Sequence, residues 1–399
     1  MVQFKTLDDL DATGKRVLVR LDLNLPLQGG KVTDLTRLER SLPTLKELVN
    51  KKAKVIVLSH LGRPKGRNTD YTLAPIAAAL KTALKPRDVF FCEEPQGPKV
   101  IQAITHLMPG QILLLENIRF VKGEEENDKE FAKEMASWGD IFVNDAFSAA
   151  HRAHVSTEGI AHLLPAYAGR LMEQEIKTLE KSLECPELPM MAIVGGEKVS
   201  TKLPLLKNLL PKVDFLVVGG AMANTFLAAM GHAVGASLYE PELMKDAIQL
   251  MKGGKVILPV DVIVAEGLGN PKNHQKRSLS SIGEREKIFD IGPETIYHIL
   301  EIMKRCHTLL WNGPLGVFEV PPFDYGTNAI AQGAARYTAQ GNLLSIAGGG
   351  DTVAALRHAG VLKDFSYVST AGGAFLEWVE GKPLPGVKAL EQACHSVES

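Results

Sequence analysis

Short apolar, β-branched runs that end abruptly in polar or glycine-rich residues recur about eleven times along the chain, each followed by a segment with helical spacing. The first half carries VLVRLDLN (17–24), KVIVLSHLGR (54–63), DVFFCEE (88–94), ILLLENIRF (112–120) and DIFVNDAF (140–147). The second carries MMAIVGGEK (190–198), DFLVVGGAM (214–222), KVILPVDVIV (255–264), TLLWNGPLG (308–316), LLSIAGGGD (343–351) and SYVSTAGGA (366–374). Near-continuous Val/Ile/Leu runs that alternate with helices predict strands buried on both faces, in parallel sheets covered by helices. The expected fold class is α/β, with two doubly wound parallel-sheet, Rossmann-like domains.

Between the two sets of runs, LMEQEIKTLEKSLE (171–184) puts Ile176, Leu179 and Leu183 on one helical stripe, and Cys185-Pro186 with Pro189 ends it. The pattern predicts a first domain over 1–170, a connecting helix and linker over 171–189, and a second domain over 190–380. A terminal segment, 381–399, begins where Pro383 and Pro385 break the sheet domain and ends in a short helix. The polar, turn-rich stretch EGLGNPKNHQKRSLSSIGERE (266–286) predicts a solvated excursion, and its Lys272, Lys276 and Arg277 are an anion-binding alternative.

A chain of 399 residues exceeds what one core usually organises, in keeping with two domains. With 45% apolar and 23% charged residues and a net charge of -1, it is neither disordered nor basic enough to point to nucleic acid, so any anion site must be local. Cys92, Cys185, Cys306 and Cys394 are scattered and are expected to be reduced structural thiols. Neither a basic-then-apolar leader nor an apolar run long enough to cross a bilayer occurs, so a cytoplasmic protein with no membrane partner is expected.

In open parallel sheets, ligands bind outside the carboxyl ends of the strands, where loops and helix N-termini gather. The residues ending the runs separate the two halves. The first half supplies Asp22, Asn24, His60, Arg63, Asn117, Arg119, Asn144 and Asp145, with Arg37, His151, Arg152 and His154 close by. A planar guanidinium grips phosphate or carboxylate bidentately, and each charge-assisted contact contributes on the order of 1.5 to 3 kcal/mol. Such a cluster suits a small, multiply charged anion. A transfer to an already ionised oxygen needs no general base, so the histidines are expected to hydrogen-bond. Asp22 and Asn24, two apart at a strand exit, suit a substrate hydroxyl or else an Asx turn.

The second half ends its runs in glycine: Gly195 and Gly196, Gly219 and Gly220, the NGPLG of Asn312 and Pro314, Gly348, Gly349 and Gly350, and Gly372 and Gly373. Glycine lets backbone N–H groups approach a phosphate, so a nucleotide site is expected here. Lys198 and Lys202, four residues apart, fall on one face if a helix starts there. Asp351, followed by Thr352, is placed as a Mg2+ ligand or a helix cap. Glu319 is placed for ribose hydroxyls or is an ordinary exposed carboxylate. The P-loop signature, the protein-kinase signatures and a first-strand dinucleotide fingerprint are all missing from the sequence. A hinged anion receptor and a dinucleotide oxidoreductase are the competing classes; nucleotide affinity and a nicotinamide assay discriminate them.

Taken together, RVLVRLDLNLPL, SHLGRP, ENIRFVKGEEEND, NDAFSAAHRAH, GGEKVSTK, WNGPLGVFE, SIAGGGDT and STAGGAFLE, in this order from about residue 5 to 380, resemble phosphoglycerate kinases. The resemblance implies reversible phosphoryl transfer between 1,3-bisphosphoglycerate with ADP and 3-phosphoglycerate with ATP, by a monomer with Mg2+. It assigns the acid site to Asp22, Asn24, Arg37, His60, Leu61, Gly62, Arg63, Arg119 and Arg152. It assigns the Mg-nucleotide site to Gly195, Gly196, Lys198, Lys202, Gly219, Gly220, Asn312, Pro314, Glu319, Gly348, Gly349, Gly350, Asp351 and Thr352, with Asp351 on the metal. Arg37, Lys202, Gly372 and Gly373 are the implied catalytic groups. The terminal segment is implied to return to the first domain, and domain closure about the 171–184 helix to precede in-line transfer.

The chain departs from the family pattern at Leu23, Leu25, Ser148-Ala149, Glu197, Thr201 and Ala371. An alanine at 371, in place of a glycine, requires negative φ there.

Overall fold

The computed structural model describes residues 3–269 and 273–395. Contacts divide the chain into two compact units: the first runs to Lys177 and takes back the chain from Pro383, and the second spans Thr178–Lys382.

In the first unit β1 (Arg16–Arg20) is followed by a small hairpin, β2 (Leu27–Gln28) and β3 (Lys31–Val32), then by β4 (Lys54–Leu58), β5 (Val89–Cys92), β6 (Ile112–Leu115), β7 (Ile141–Asn144) and β8 (Ala166–Ala168). Helices α1 (Thr36–Asn50), α2 (Ala74–Ala83), α3 (Pro98–His106) and α4 (Lys129–Ser137) connect them. Six strands form one parallel sheet in the order β5-β6-β4-β1-β7-β8. Strands β6 and β7 are buried throughout, as two-sided coverage demands. Val17, Val19, Val55, Val57 and Leu114 pack with Leu45, Leu48 and Leu80 of the helices in one core cluster. The chain moves from β1 to one side of the sheet and later returns to the other, so the strand ends flanking β1 form the switch point.

Helix α5 (Arg170–Leu183) carries the chain onward, with Ile176, Leu179 and Leu183 buried along its apolar stripe.

The second unit repeats the logic. Strands β9 (Met190–Val194), β10 (Phe215–Val218), β11 (Val256–Ile257), β12 (Asp261–Ala265), β13 (Gln275–Ser278), β14 (Lys287–Ile291), β15 (Thr308–Asn312), β16 (Leu344–Gly348) and β17 (Tyr367–Ser369) follow in order. Between them lie α6 (Val199–Leu209), α7 (Met222–Ala229), α8 (Met244–Met251), α9 (Pro293–Met303), α10 (Tyr325–Ala339) and α11 (Gly350–His358); α12 (Gly373–Val379) follows β17, and α13 (Pro385–His395) belongs to the first unit. The parallel sheet has the order β11-β10-β9-β15-β16-β17, which puts its switch point between β9 and β15.

Three details differ from the expected strands. The run 255–264 is two strands, because Pro259 lacks an N–H and breaks the ladder: β11 stays in the parallel sheet, while β12 enters a separate antiparallel sheet of order β13-β12-β14. The stretch 266–286 is therefore partly ordered as β13. Its basic residues pair with carboxylates, Lys276 with Glu294 (2.6 Å) and Arg277 with Glu286 (2.7 Å), while Lys272 lies outside the described residues. Strand β8 and the β2–β3 hairpin are too short for periodicity to register.

Candidate functional site

In the first unit, the loop after β1 carries Asp22 and Asn24 beyond the strand, not on it, because β1 ends at Arg20. Asn24 N–H donates to Asp22 Oδ1 (3.0 Å), an Asx turn that aims the other oxygen away from the backbone. That oxygen, Oδ2, accepts from Arg37 Nη1 (2.7 Å) and from Ser148 Oγ. Burial works against a charge on Asp22, but the Arg37 guanidinium and the bonds from Ser148 and Asn24 outweigh it and hold the carboxyl below its ordinary range. Arg37 thus uses one arm of its fork, and it is about one-third exposed.

A second layer clamps the loop after β4. Asn24 Oδ1 accepts from Gly62 N–H (2.9 Å), Arg119 Nη1 donates to Gly62 O (2.6 Å), and Asn117 Nδ2 donates to Leu61 O (2.9 Å). Gly62 sits at φ +61 with the Tyr71 ring 2.3 Å from where a Cβ would stand, so any side chain here would be strained and would have to displace that ring. Arg63 is exposed and makes no hydrogen bond or ion pair with the described residues. Arg119 also meets Glu125 (3.3 Å), and Arg152 Nε donates to His151 Nε2 (3.2 Å).

The electrostatics report how these groups converge. His60 is buried, and burial with the charges of Arg20, Arg119 and Arg37 pushes its pKa well down against the pull of Asp22. His154 is pushed down to about 4, by burial first and then by Arg119, Arg20 and Arg152. Burial lowers Arg119 too, with Arg152 and Arg63 adding to it. Burial, with the guanidinium charge added to it, keeps both imidazoles neutral.

Sequence reasoning missed the supports of this cluster, Arg20, Glu124, Ser148 and Ser156. One signal was available, an arginine inside the apolar run VLVRL, which needs a buried partner.

In the second unit the strand ends on either side of the β9–β15 pairing meet. Gly195 N–H donates to Asn312 O (2.9 Å), and a Cβ on Gly195 would fall 1.8 Å from Pro314 O, so the two loops touch backbone to backbone. Lys202 Nζ donates to Asn312 Oδ1 (2.5 Å), Asn312 Nδ2 donates to Gly348 O (2.7 Å), and Gly313 N–H donates to Thr352 Oγ1 (2.7 Å). Gly349, at φ +98, caps α11, and Gly350 and Asp351 open it. Lys198 is the N-cap of α6 and lies outside the helix, exposed, whereas Lys202 is half-buried within it. Burial lowers the Lys202 pKa, and Glu380 and Asp351 act in the opposite direction.

A cavity of 400 Å³ is lined by Gly195, Lys198, Lys202, Asn312, Gly349, Gly350, Asp351 and Thr352. It shares Gly196, Glu197, Pro314 and Asp351 with a second of 560 Å³, lined also by Gly220, Leu227, Leu238, Phe289 and the exposed Glu319. One end is cationic and amide-lined and the other largely apolar, an arrangement that suits an anionic tail on a flat aromatic body. The apolar wall was invisible to strand-end reasoning, since Leu227 comes from α7, Leu238 from the segment after it and Phe289 from β14. Gly219 and Gly348 line neither cavity; Gly348 instead accepts from Asn312. Gly372 (φ +55) caps α12, Gly373 opens it, and Leu376 of that helix lines the smaller cavity. Among described non-glycine residues only Lys52 and Asn127 have positive φ, so Ala371 meets its backbone requirement.

Asp351 is an exposed carboxylate beside Lys202 in the smaller cavity. Three clustered metal-binding side chains are not found among the described residues. One carboxylate fits a cation whose remaining ligands are phosphate oxygens and water, the usual habit of Mg2+.

The family model for phosphoglycerate kinase matches residues 7–382. The phosphoglycerate kinase of Rhizobium meliloti (strain 1021) is 55% identical over 396 residues, 98% of this chain and 99% of that one. The structure of phosphoglycerate kinase from Coxiella burnetii superposes with a TM-score of 0.91 at 44% identity, covering 99% of this chain and all of the other. The crystal structure of phosphoglycerate kinase from Pyrococcus horikoshii OT3 gives a TM-score of 0.81 at 30% identity, covering 98% and 99%.

Proposed function

The chain belongs to the phosphoglycerate kinase family, and from that premise we infer how its own residues carry the reaction. It is a phosphotransferase that moves a phosphoryl group reversibly between 1,3-bisphosphoglycerate with ADP and 3-phosphoglycerate with ATP, a step of glycolysis. The observation that carries the residue assignment is that one buried imidazole, His60, lies in the fields of Arg20, Arg37 and Arg119 together. Guanidinium groups gathered this closely repel one another; Glu124 opposes the charge of the buried Arg20, and an anion shared by Arg37 and Arg119 stabilises the rest.

The first unit holds the acid. Arg37, Arg63, Arg119 and Arg152 bind its phosphate and carboxyl oxygens, His60, Asp22 and Asn24 its hydroxyl and carboxyl, and the Leu61-Gly62 loop fixes the distance between them. The second unit holds the nucleotide: the base against the wall of Leu227, Leu238 and Phe289, the ribose by Glu319, and the phosphates on Lys198, Lys202, the Gly195-Gly196 and Gly219-Gly220 loops and the amides that open α11. Asp351 would hold Mg2+, which when bound neutralises charge on the β- and γ-phosphates. Transfer needs the acid's carboxylate oxygen in line with the terminal phosphorus, so the two bound substrates must meet during the cycle. Arg37 and Lys202 then share the charge spread over the migrating group, with the amides of Gly372 and Gly373. None of these groups needs to give up or take a proton, and no covalent enzyme intermediate is required. The enzyme acts as a cytoplasmic monomer without nucleic-acid or membrane partners; no described helix is long and apolar enough to cross a membrane.

A coupled assay for ATP-dependent, Mg2+-dependent phosphorylation of 3-phosphoglycerate tests the reading. Turnover of that acid that is lost in Arg37→Ala is expected, and absence of turnover in the wild type refutes it.

A further inference from the structure

Arg20 closes β1 and is entirely buried. A guanidinium at such a place needs every donor occupied and its charge opposed. Its Nε donates to Ser156 Oγ (2.8 Å), Nη1 to Leu21 O, and Nη2 lies 2.9 Å from His60 Nδ1. Ser156 Oγ passes its own hydrogen to Glu124 Oε1 (2.6 Å), and Glu124, also buried, supplies the opposing charge. The guanidinium is therefore pinned at both ends before it reaches the imidazole.

Guanidinium nitrogens only donate. His60 Nδ1 must then be the lone-pair nitrogen, which leaves the ring hydrogen on Nε2. Among the described residues Nε2 has no hydrogen-bond partner, and it is not one of the polar atoms sealed from solvent. The free end of the imidazole is thus an N–H that the protein does not use.

We propose that Arg20 is a positioning residue that locks His60 in the Nε2–H tautomer and so makes it a hydrogen-bond donor toward an oxygen of the bound acid. This rests on the assignment of the acid to the first unit. The opposite tautomer would turn a lone pair toward a carboxylate oxygen, which has no hydrogen to donate, and repel it. Accepting a charge-assisted bond at Nδ1 also polarises the ring and strengthens the donor at Nε2. Arg20 acts through His60 and has no need to reach the ligand.

The test is the two-bond ¹H–¹⁵N correlation pattern of His60 in histidine-labelled full-length enzyme, assigned against His60→Gln. The wild type is expected to show the Nε2–H pattern alone across the neutral range. Arg20→Met should give a tautomer mixture and raise the KM for 3-phosphoglycerate by roughly tenfold, the weight of one hydrogen bond, with the KM for ATP unchanged. Arg20→Lys, which still donates, should restore the pure Nε2–H pattern. An Nδ1–H pattern in the wild type overturns the proposal even if Arg20→Met fails to fold, and so does an unchanged pattern in a folded Arg20→Met. Loss of the acid-site reading would show separately, as a wild type with the expected tautomer but no turnover of 3-phosphoglycerate.

Discussion

The ammonium of Lys202 donates to Asn312 Oδ1 at 2.5 Å, and the other end of the same amide donates to Gly348 O at 2.7 Å. Two strand ends, those of β15 and β16, are thereby tied to one cation in the phosphate cavity, carried by α6. Asn312 aims Lys202 without contributing charge. Replacing it by Leu should lower kcat by about tenfold, since the lysine loses its aim, and should destabilise the second unit by about 1–3 kcal/mol because Gly348 O is left buried and unpaired. Steady-state kinetics and denaturant unfolding check the two parts, and an unchanged kcat would show that the lysine is held by other means.

Arg37 spends one nitrogen on Asp22 and keeps the rest of its fork. Arg37→Ala is expected to cut kcat by about a hundredfold or more while leaving nucleotide affinity nearly intact, because its charge is called on as the phosphoryl moves. Calorimetric titration with ATP beside turnover measurements separates these effects. A hundredfold loss of ATP binding would reassign the residue to the nucleotide.

Asp351 is the one acidic side chain lining the phosphate end of the groove apart from Glu197. Asp351→Asn should weaken the apparent affinity for Mg-ATP by roughly tenfold, with little change in the KM for 3-phosphoglycerate. Raising free Mg2+ should recover part of the loss. Gly349, not Asp351, caps α11, so no response to Mg2+ would leave Asp351 only as an acidic residue in the first turn of that helix.

Asp145, buried, accepts from the backbone of Leu171 (2.8 Å) and Met172 (3.0 Å) at the start of α5, yet burial raises its pKa to about 7. The folded state therefore binds this proton more tightly than the unfolded chain, whose ordinary value is 3.8. The associated stability is complete at pH below 3.8 and is lost as pH climbs through about 7. Asp145→Asn keeps the acceptor and removes the titration. Its unfolding free energy relative to the wild type should rise by on the order of a few kcal/mol between acid and neutral pH and then level off. Thermal unfolding of both proteins across that range is the measurement, and parallel curves would contradict it.

Ser148 stands where the family pattern has glycine, and its hydroxyl bonds Asp22 Oδ2. Ser148→Gly should let the Asp22 carboxyl titrate at higher pH and lower acid affinity on the acidic limb alone. A pH profile of the KM for 3-phosphoglycerate reads this out, and identical limbs in the two proteins would show the hydroxyl to be idle.

The amino-acid sequence by itself determined the α/β class, because strands buried on both faces must be apolar along their whole length and therefore print an unbroken signal. It also determined which chemistry ends each strand, guanidinium in one half and glycine in the other. Which partners those groups take was decided by tertiary structure alone. Arg20 and His60 are forty residues apart in the chain and Lys202 and Asn312 one hundred and ten. Such pairings depend on strand order, which local periodicity does not encode. The division of the 255–264 run at Pro259 and the small antiparallel sheet followed the same rule: proline ends a ladder locally, but the sheet its continuation joins is set by what packs beside it.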